Sequence, residues 1–580
     1  RHPVLLTLFA VGTRDRGGAI PFLLSRDRAD NTHMATILPC TQSTNAHPHF
    51  HQRPHYGHLL HPNARSTRRI TISTTPWTTA YTSHTVPRHD SPFLPGLFPP
   101  LAATATATPM RVHAARLLVP APPTPRRHAT LRFAVSAAAT SANVNQADKQ
   151  AVIVGGGLAG LAAATHLAAL SVPFTLLEAS DRVGGRVATD EVDGYLLDRG
   201  FQIFLTAYPE CQRLLDFQAL RLQPFFPGAL VYLGAGEGGA PFHLLSDPFR
   251  FPIRSLSSVF SPVGTLPDKL LVGITRLRAA ATPDDVILSS PETTTARHLE
   301  KLGFSPSIVE RFLRPFLAGI FFDPALDTSS RLFELVFKRL ALGDNALPEA
   351  GIGAIAGQLA DRLPAGSVRL NARAAAIDPS SGVTLDTGET VSGELGVIVA
   401  VEQPEAEKLL PQLPARPKNK KAAERSTVCL YFSADRAAVQ EPVLLLNGSG
   451  KGIVNNMFFA TNVAPSYAPA GKVLVSVSLV GSFAGREDAE LTGEVVRELG
   501  GWFGAGEVAS WAHLRTYRIG FAQPDQTPPT EPAGRDPRAG DGVYVCGDHW
   551  CSATFDGAMV SGRRAAEALA KDGGLSQSLS

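Results

Sequence analysis

The spacing of apolar residues changes character near residue 149. From Lys149 onward, short apolar runs alternate with longer stretches in which apolar residues recur every three or four positions. This alternation is typical of α/β architecture, in which helices connect the parallel strands of one sheet. The first unit is predicted as a strand in KQAVIV at 149–154, a glycine turn, a helix over 158–170 and a second strand in PFTLLEAS at 173–180.

The alternation is lost between residues 211 and 345 and resumes afterwards. The stretches SIVERFLRPFLAGIFFDP and SSRLFELVFKRLALG place apolar residues at helical spacing, which predicts a mostly helical segment. Strand patterns with turn residues return over 368–401, and an antiparallel sheet is predicted within 425–525 from VLLLNG, NNMFFATN and KVLVSVSLVG. We expect the helical segment and this sheet to form one inserted domain.

Residues 1–147 have a different composition from the rest of the chain. They carry 15 Arg and four Asp but no Lys or Glu, and they are rich in Ser, Thr, Ala and Pro without a sustained period. This composition predicts a disordered leader that acts as an organelle transit peptide. We interpret the histidine cluster at 47–61 as biased composition rather than a metal site.

Composition excludes several other classes of protein. Because the leader carries the positive charge, the remaining residues have more acidic than basic groups, which argues against nucleic-acid binding. The chain has no run of 18 apolar residues, so we expect any membrane contact to be peripheral. Cys546 and Cys551 have no second pair at zinc spacing, and we predict no metal site. Trp502 and Phe503 lie at helical spacing, which favours a core position over a membrane-facing one.

The turn after the first strand carries a glycine fingerprint. Gly155, Gly157 and Gly160 form G-x-G-x-x-G, in which the glycines permit a tight turn, the approach of a pyrophosphate and close packing of the helix. Glu178 follows 23 positions after Gly155, at the end of the second strand. A carboxylate there bonds ribose hydroxyls and disfavours a 2′-phosphate, so the sequence predicts a dinucleotide site.

The continuation, EASDRVGGRVATDEVDGYLLDRGFQIF, resembles the superfamily of flavin-containing amine oxidases and carotenoid desaturases. Its E-x-x-x-x-x-G-G-R motif is matched by Glu178, Gly184, Gly185 and Arg186. The resemblance implies that FAD is the cofactor and that Arg186 lies against its diphosphate. It also implies that three residues of the following strand and turn lie near the isoalloxazine: Gly200, Phe201 and Gln202.

Two later stretches share this resemblance. GVYVCGDHWCSATFDGAMVSGRRAAEALA resembles the C-terminal family motif, in which Gly547 and Asp548 contact the ribityl chain or phosphates. By the same resemblance, Gly557, Ala558 and Met559 begin a helix whose N–H groups face the flavin pyrimidine edge. ALPEAGIGAIAGQLADRLP resembles a family turn and helix that precede the adenine-proximal strand, where the site residue is Ala374.

The resemblance implies a Rossmann-like FAD-binding domain of the two-dinucleotide-binding type with an inserted mixed α+β substrate domain. We assign the FAD-binding domain to 148–210, 346–424 and 526–580, and the substrate domain to 211–345 and 425–525. The leader occupies 1–147.

The chemistry implied by the resemblance is removal of hydrogen from a substrate carbon, with hydride passing to flavin N5 and later reoxidation by oxygen, a quinone or another acceptor. No catalytic residue is assigned. The loop HWCSATF lacks a tyrosine pair, which argues against amine oxidation. The apolar middle segments favour desaturation or isomerisation of a carotenoid or other isoprenoid, an apolar small molecule. Oxidation of an amine or tetrapyrrole precursor and a flavin-binding scaffold without turnover stay open. We expect a chloroplast location in preference to the mitochondrion.

Overall fold

A computed structural model describes residues 149–234, 241–251, 258–380, 382–413, 425–531 and 534–575. The predicted leader and its histidine cluster lie outside the described residues. The elements form two main sheets, one mostly parallel and one mixed, with helices on their faces.

The mostly parallel sheet has six strands. Its central strands are nearly continuous runs of Val, Ile and Leu that are buried on both faces, as parallel sheets require. The strand Arg538–Gly540 pairs antiparallel with Val543–Val545, and all other strand pairs of this sheet are parallel. In spatial order the strands are Val368–Arg369, Phe174–Leu177, Ala151–Val154, Gly396–Val399, Val543–Val545 and Arg538–Gly540.

Two long helices pack together on this sheet. Leu158–Ala169 follows the glycine turn, and Phe555–Asp572 lies against it. A Cβ added at Gly562 would lie 2.0 Å from the Ala159 carbonyl oxygen, so the close approach of these helices requires glycine at that position. The first and last segments of the described chain therefore meet in one layer.

The mixed sheet has seven strands. In spatial order they are Ala512–Ile519, Thr427–Ala434, Val473–Val480, Asn456–Phe459, Leu444–Asn447, Gly228–Tyr232 and Phe242–Ser246. The last two strands come from the segment predicted to be mostly helical, and Gly228–Tyr232 pairs parallel with Leu444–Asn447. The prediction was incomplete because tertiary pairing decides the structure of these short runs, which are weak signals alone.

The remaining elements surround these sheets. The short strands are Thr189–Val192 with Tyr195–Asp198, Phe204–Leu205 with Asn345–Leu347 and Gln223–Pro224, and Ala374–Asp378 with Gly382–Leu385 and Thr390–Val391. The helices described in full between residues 209 and 345 are Pro209–Leu214, Phe217–Leu220, Leu266–Ala281, Asp284–Ser289, Thr295–Leu302, Pro306–Ile308, Arg314–Phe321 and Ser330–Leu342, with a π turn at Val309–Leu313. The later helices are Ala354–Ala360, Gln403–Leu409, Ala460–Val463, Asp488–Phe503 and Ala505–Val508, with 3₁₀ turns at Pro465–Tyr467 and Asp548–Trp550.

Trp502 belongs to the core. Its ring is buried and stacks on Tyr232 with a centroid distance of 4.5 Å, as the helical spacing indicated. Within the described part of the chain, no helix combines the length and the apolar character needed to cross a membrane.

Candidate functional site

A cavity of about 600 Å³ opens at the carboxyl ends of the parallel strands. Val154, Leu177 and Ala400, which end or follow three of these strands, contribute to its wall. Ligands of open α/β sheets bind at this edge, and the volume is typical of small-molecule sites. The cavity continues from the glycine turn to the helices and the mixed sheet of the inserted segments.

The three fingerprint glycines serve different purposes. Gly155 has φ +107°, and a Cβ there would lie 2.9 Å from the Ala400 oxygen. A Cβ on Gly160 would lie 1.9 Å from the Gly155 oxygen, so Gly160 lets the helix pack closely on the strand. Gly157 lines the cavity and has nothing within 4 Å of its Cβ position. Two of the glycines therefore serve backbone packing, while Gly157 leaves room for a ligand.

The glycine turn and the second strand are joined through Glu178. One carboxylate oxygen of Glu178 accepts from the Gly156 N–H at 2.7 Å, and the other accepts from the Ser180 N–H and hydroxyl. Gly157 precedes the helix without a side chain that could cap it. The first-turn N–H groups are therefore suited to an anion.

Arg186 and Asp548, which are 362 positions apart, form an ion pair in the cavity wall. Arg186 Nη2 lies 2.8 Å from Asp548 Oδ1, and Arg186 Nη1 donates to the Ala522 oxygen at 2.9 Å. Burial alone would raise the pKa of the Asp548 carboxyl, but the neighbouring Arg186 charge holds it well below its usual range. The pair joins the first and last segments of the described chain at one point.

The structure brings most of the predicted site residues to this one cavity. The residues that line it are Gly155, Gly157, Glu178, Gly184, Gly185, Arg186, Gly200, Phe201, Gln202, Ala374, Gly547, Asp548 and Ala558. Gln202 donates to the Arg186 carbonyl at 2.8 Å, and the Phe201 ring lies 4.5 Å from that of Phe458. These two contacts connect the segment 200–202 to Arg186 on one side and to the mixed sheet on the other.

Gly160, Gly557 and Met559 lie outside the cavity wall. The C-terminal helix begins at Phe555, two residues before the predicted start, because Thr554 caps it and accepts from the Gly557 N–H at 2.9 Å. Met559 points into the core, where its sulfur lies 3.7 Å from Cys211 Sγ. The predicted start of this helix therefore needs correction by two residues, whereas Gly160 has the packing role that the sequence predicted.

Sequence reasoning missed several charged residues of the wall: Arg182, Arg199, Arg373, Glu402 and Glu405. Glu402 ends the short segment between the strand Gly396–Val399 and the helix Gln403–Leu409. A position just after a parallel strand is a signal that could have identified it.

The far end of the cavity has a different composition. Its wall there consists of aromatic and aliphatic side chains with neutral polar groups: Phe316, Ile320, Phe321, Phe322, Val336, Leu340, Leu444, Asn345, Thr427, Asn456 and Gln523. Phe322 adopts φ +50°, which is uncommon for a bulky residue and marks local strain. This end is suited to an apolar ligand.

Asp198, at the end of the strand Tyr195–Asp198, forms hydrogen bonds with several elements beside the cavity. Its carboxylate is buried and accepts from the Thr189 hydroxyl at 2.6 Å, the Ile352 N–H at 2.9 Å and the Tyr467 hydroxyl at 3.1 Å. Tyr431 of the mixed sheet donates to the Asp198 carbonyl. Burial raises the pKa of Asp198 to about 6, although these hydrogen bonds oppose the rise.

Comparison with known families decides the class of protein. Residues 158–570 match the family described as flavin containing amine oxidoreductase. The chain belongs to this family. Membership confirms the predicted superfamily, the fold class and FAD as cofactor, and it makes the chain a flavin oxidoreductase by class.

Individual relatives of this flavin oxidoreductase differ in how much of the chain they cover. Coproporphyrinogen III oxidase from Propionibacterium freudenreichii is 31% identical over 181 residues, which are 29% of this chain and 31% of the relative. The chain thus matches about a third of the length of that relative. The 15-cis-phytoene desaturase of Arabidopsis thaliana is 23% identical over 490 residues and covers 78% of this chain and 86% of its own.

Among solved structures, an oxidoreductase from Methanosarcina mazei is similar in fold. It has a TM-score of 0.54 and 15% identity, and it covers 71% of this chain and 98% of its own. At this identity the likeness shows the shared fold alone.

The residues at the polar end fit the FAD of this family. Gly157 leaves an open position beside an uncapped helix N-terminus, which suits a diphosphate. Arg186 presents a guanidinium, and Glu178 presents a carboxylate suited to ribose hydroxyls. No group of three or more His, Cys, Asp or Glu suited to a metal occurs among the described residues.

Proposed function

We propose that this flavin oxidoreductase desaturates or isomerises a carotenoid or another apolar isoprenoid. The observation that carries the proposal is the distribution of charge along the cavity wall. Its charged side chains all come from the segment 178–199 and from positions 373, 402, 405 and 548, segments that also supply the predicted FAD residues Glu178, Arg186, Ala374 and Asp548. The opposite end offers aromatic, aliphatic and neutral polar groups, which suit a long hydrocarbon.

Bound FAD supplies a two-electron acceptor for hydride from a substrate carbon. We assign the chain's own residues to holding it. Gly157 and the N-terminus of Leu158–Ala169 receive the diphosphate, Arg186 and Asp548 fix the adjoining segment, and Glu178 holds the ribose. Gly200, Phe201 and Gln202 lie beside the flavin ring where it meets the substrate end, and Ala374, Gly547 and Ala558 complete the wall around the cofactor.

The length over which each relative aligns with this chain supports this substrate class. The match to the relative named phytoene desaturase spans most of both chains. The match to the relative named coproporphyrinogen III oxidase spans only about a third of either chain. A substrate class depends on the whole cavity, so the longer match is the more informative one.

Oxidation of a tetrapyrrole precursor is the second candidate, because several relatives are named porphyrinogen oxidases. A porphyrinogen carries carboxylates, which would require cationic partners at the substrate end. The wall there is neutral, which favours the hydrocarbon.

To distinguish the candidates, the purified holoprotein is incubated with a linear polyene in detergent, with a porphyrinogen, or with a primary amine, and products are identified by absorbance and mass. The proposal predicts a polyene with one more double bond or a changed geometry. Conversion of the porphyrinogen or the amine alone would contradict it.

We propose that the substrate reaches the cavity from a membrane surface. Helix Leu266–Ala281 exposes Leu266, Leu270, Ile274 and Leu277, each more than half exposed, at spacings of three and four on one face. Its basic residues are bonded within the protein, with Arg276 paired to Asp247 and Arg278 to Glu334, so the exposed face is defined by its apolar side chains. Such a face is suited to lie in the interface of a bilayer.

The position of this helix also suits substrate delivery. It packs on helix Ser330–Leu342, whose Val336 and Leu340 line the substrate end of the cavity. An apolar molecule would thus pass from lipid to the cavity across a single helix layer.

Sedimentation with phosphatidylglycerol vesicles tests this contact. The double variant Leu270→Asp, Ile274→Asp should lose vesicle binding while its flavin spectrum stays unchanged. Leu370→Asp, at another exposed apolar residue, serves as the matched control. Equal binding of both variants would contradict the assignment of the surface.

We also propose a plastid location. The composition of residues 1–147 and the chloroplastic relatives support it. A fusion of residues 1–147 to a fluorescent protein should enter chloroplasts, and import into mitochondria alone would contradict the proposal.

A further inference from the structure

Glu402 is an acidic residue beside the place where the diphosphate fits. It follows the strand Gly396–Val399 and lines the cavity. The preceding residues lie against the glycine turn, because a Cβ on Gly155 would be 2.9 Å from the Ala400 oxygen and 3.0 Å from Val401 Cγ1. Glu402 therefore stands at the edge of the anion site.

The cavity wall is electrically balanced before a dinucleotide enters. Four arginines face four acidic residues: Arg182, Arg186, Arg199 and Arg373 against Glu178, Glu402, Glu405 and Asp548. The diphosphate of FAD adds two negative charges to this enclosed space. One acidic group that becomes neutral would relieve part of the resulting repulsion.

Glu402 differs from the other three acids in its partners. Glu178 accepts from Gly156, Asp548 is paired with Arg186, and Glu405 is paired with Lys408. Within the described ranges of the chain, no hydrogen bond is donated to the Glu402 carboxylate. Its charge is the least compensated of the four.

The charged groups that face Glu402 come from several elements. Burial raises the pKa of Glu402, and the nearby Glu405 and Asp548 also raise it, while Arg186 and Lys408 lower it. The net effect is a raised pKa of Glu402 before the cofactor is present, and the two negative charges of the diphosphate raise this pKa further.

We infer that Glu402 takes up a proton when FAD binds and thereby couples cofactor retention to pH. The proton comes from solvent, and no bond other than the O–H bond of Glu402 is formed. The inference rests on FAD as cofactor and holds whichever substrate is turned over.

The sign of the coupling follows from linkage. A group that binds a proton in the complex and not in the free protein makes binding tighter as the pH falls. The FAD dissociation constant should therefore rise with pH, by up to about tenfold per pH unit within the titration range of Glu402. Above that range the dissociation constant becomes constant.

Release of FAD from the full-length holoprotein on dilution, followed by flavin fluorescence from about pH 5 to about pH 9, measures this dependence. Glu402→Gln should flatten the pH dependence and bind FAD about threefold to tenfold more tightly at the alkaline end, since it removes a repelling charge. Calorimetry in two buffers of different ionisation enthalpy should show proton uptake by the wild type that the variant lacks.

Glu407→Gln is the matched control. Glu407 lies on the same helix, accepts from Gln403 at 2.8 Å and is absent from the cavity wall. Its variant should keep the pH dependence of the wild type. A dissociation constant that depends on pH equally in Glu402→Gln and the wild type, or calorimetry that shows no proton uptake, would overturn the inference.

Discussion

The two ends of the cavity are built by different physical means. At the polar end, side chains are fixed by specific bonds, such as Arg186 to Asp548 and Glu178 to Gly156. At the apolar end, Phe316, Leu340 and Leu444 contribute shape and apolar surface from two helices and the mixed sheet. The polar end should therefore tolerate few substitutions, whereas the apolar end should accept exchanges that preserve volume.

The largest expected effect is at Gly157. Gly157→Leu fills the open position beside the helix N-terminus, and its φ of −73° suits any residue. The variant should fold but purify without flavin, as absorbance and circular dichroism would show. A fully yellow variant would contradict the placement of the diphosphate.

Gly160→Ala provides the contrasting control. Its Cβ would meet the Gly155 oxygen at 1.9 Å, so the strand and helix must separate. We expect a loss of about 3 kcal/mol or more in unfolding free energy. Equal thermal stability of Gly160→Ala and the wild type would contradict the assignment of Gly160 to helix packing and of Gly157 to the ligand site.

Asp198, buried beside the cavity, should make stability depend on pH. Its pKa in the folded protein is about 6, above the ordinary value of 3.8. The folded state therefore holds the proton more tightly, and stability present below about pH 4 is lost as the pH rises through 6, by at most about 3 kcal/mol. Asp198→Asn should remove this loss in urea unfolding across that range.

Asp190 is the control of opposite sign. Burial raises the pKa of Asp190, but hydrogen bonds from Arg199 and Tyr517 outweigh it and lower the pKa below its ordinary value. The contribution of Asp190 to stability is therefore lost as the pH falls. Asp190→Asn should therefore weaken the acid-side loss. If Asp190→Asn and Asp198→Asn changed the pH profile in the same direction, the account of these carboxylates would be wrong.

Arg186→Met tests the ion pair of the polar end. It leaves the buried Asp548 carboxylate without its cation and should cost about 2 kcal/mol, since Arg186 is partly exposed. The variant should also release flavin more readily. Asp548→Asn combined with Arg186→Met should cost less than the sum of the single changes, and strict additivity would show that the pair does not interact.

The smallest expected effect is at the apolar end. Phe316→Leu keeps an apolar side chain and should change KM for a polyene by about tenfold or less, because one altered apolar contact discriminates weakly. Flavin content should stay at the wild-type level. Loss of flavin from this variant would contradict the separation of the two ends.

The same contrast explains what could be predicted from the sequence. Gly157 and Glu178 belong to a local motif whose spacing implies their chemistry, and the role of Arg186 is implied by the family resemblance of the motif that follows, so all three could be predicted. The start of the helix that carries Met559 was predicted two residues too late, because the Thr554 cap sets where the helix begins. Glu402 lacks a motif, although its position after a strand would have served as a signal.

The apolar end could not be identified residue by residue. Phe316 and Leu340 have the same helical spacing as core residues, and only the folded structure shows which of them border a cavity. The strands Gly228–Tyr232 and Phe242–Ser246 were missed because their pairing partners are distant in the sequence. Motif residues encode chemistry locally, whereas a cavity is a property of the packed fold.

The most direct test is an anaerobic titration of the yellow holoprotein with a linear polyene in detergent, followed at the visible flavin band. For desaturation the account predicts stoichiometric bleaching by the polyene, which the apolar end holds against the flavin, and for isomerisation it predicts a rearranged polyene with no net bleaching. A band that stays oxidised with the polyene and bleaches with a porphyrinogen or an amine would contradict the proposed substrate class.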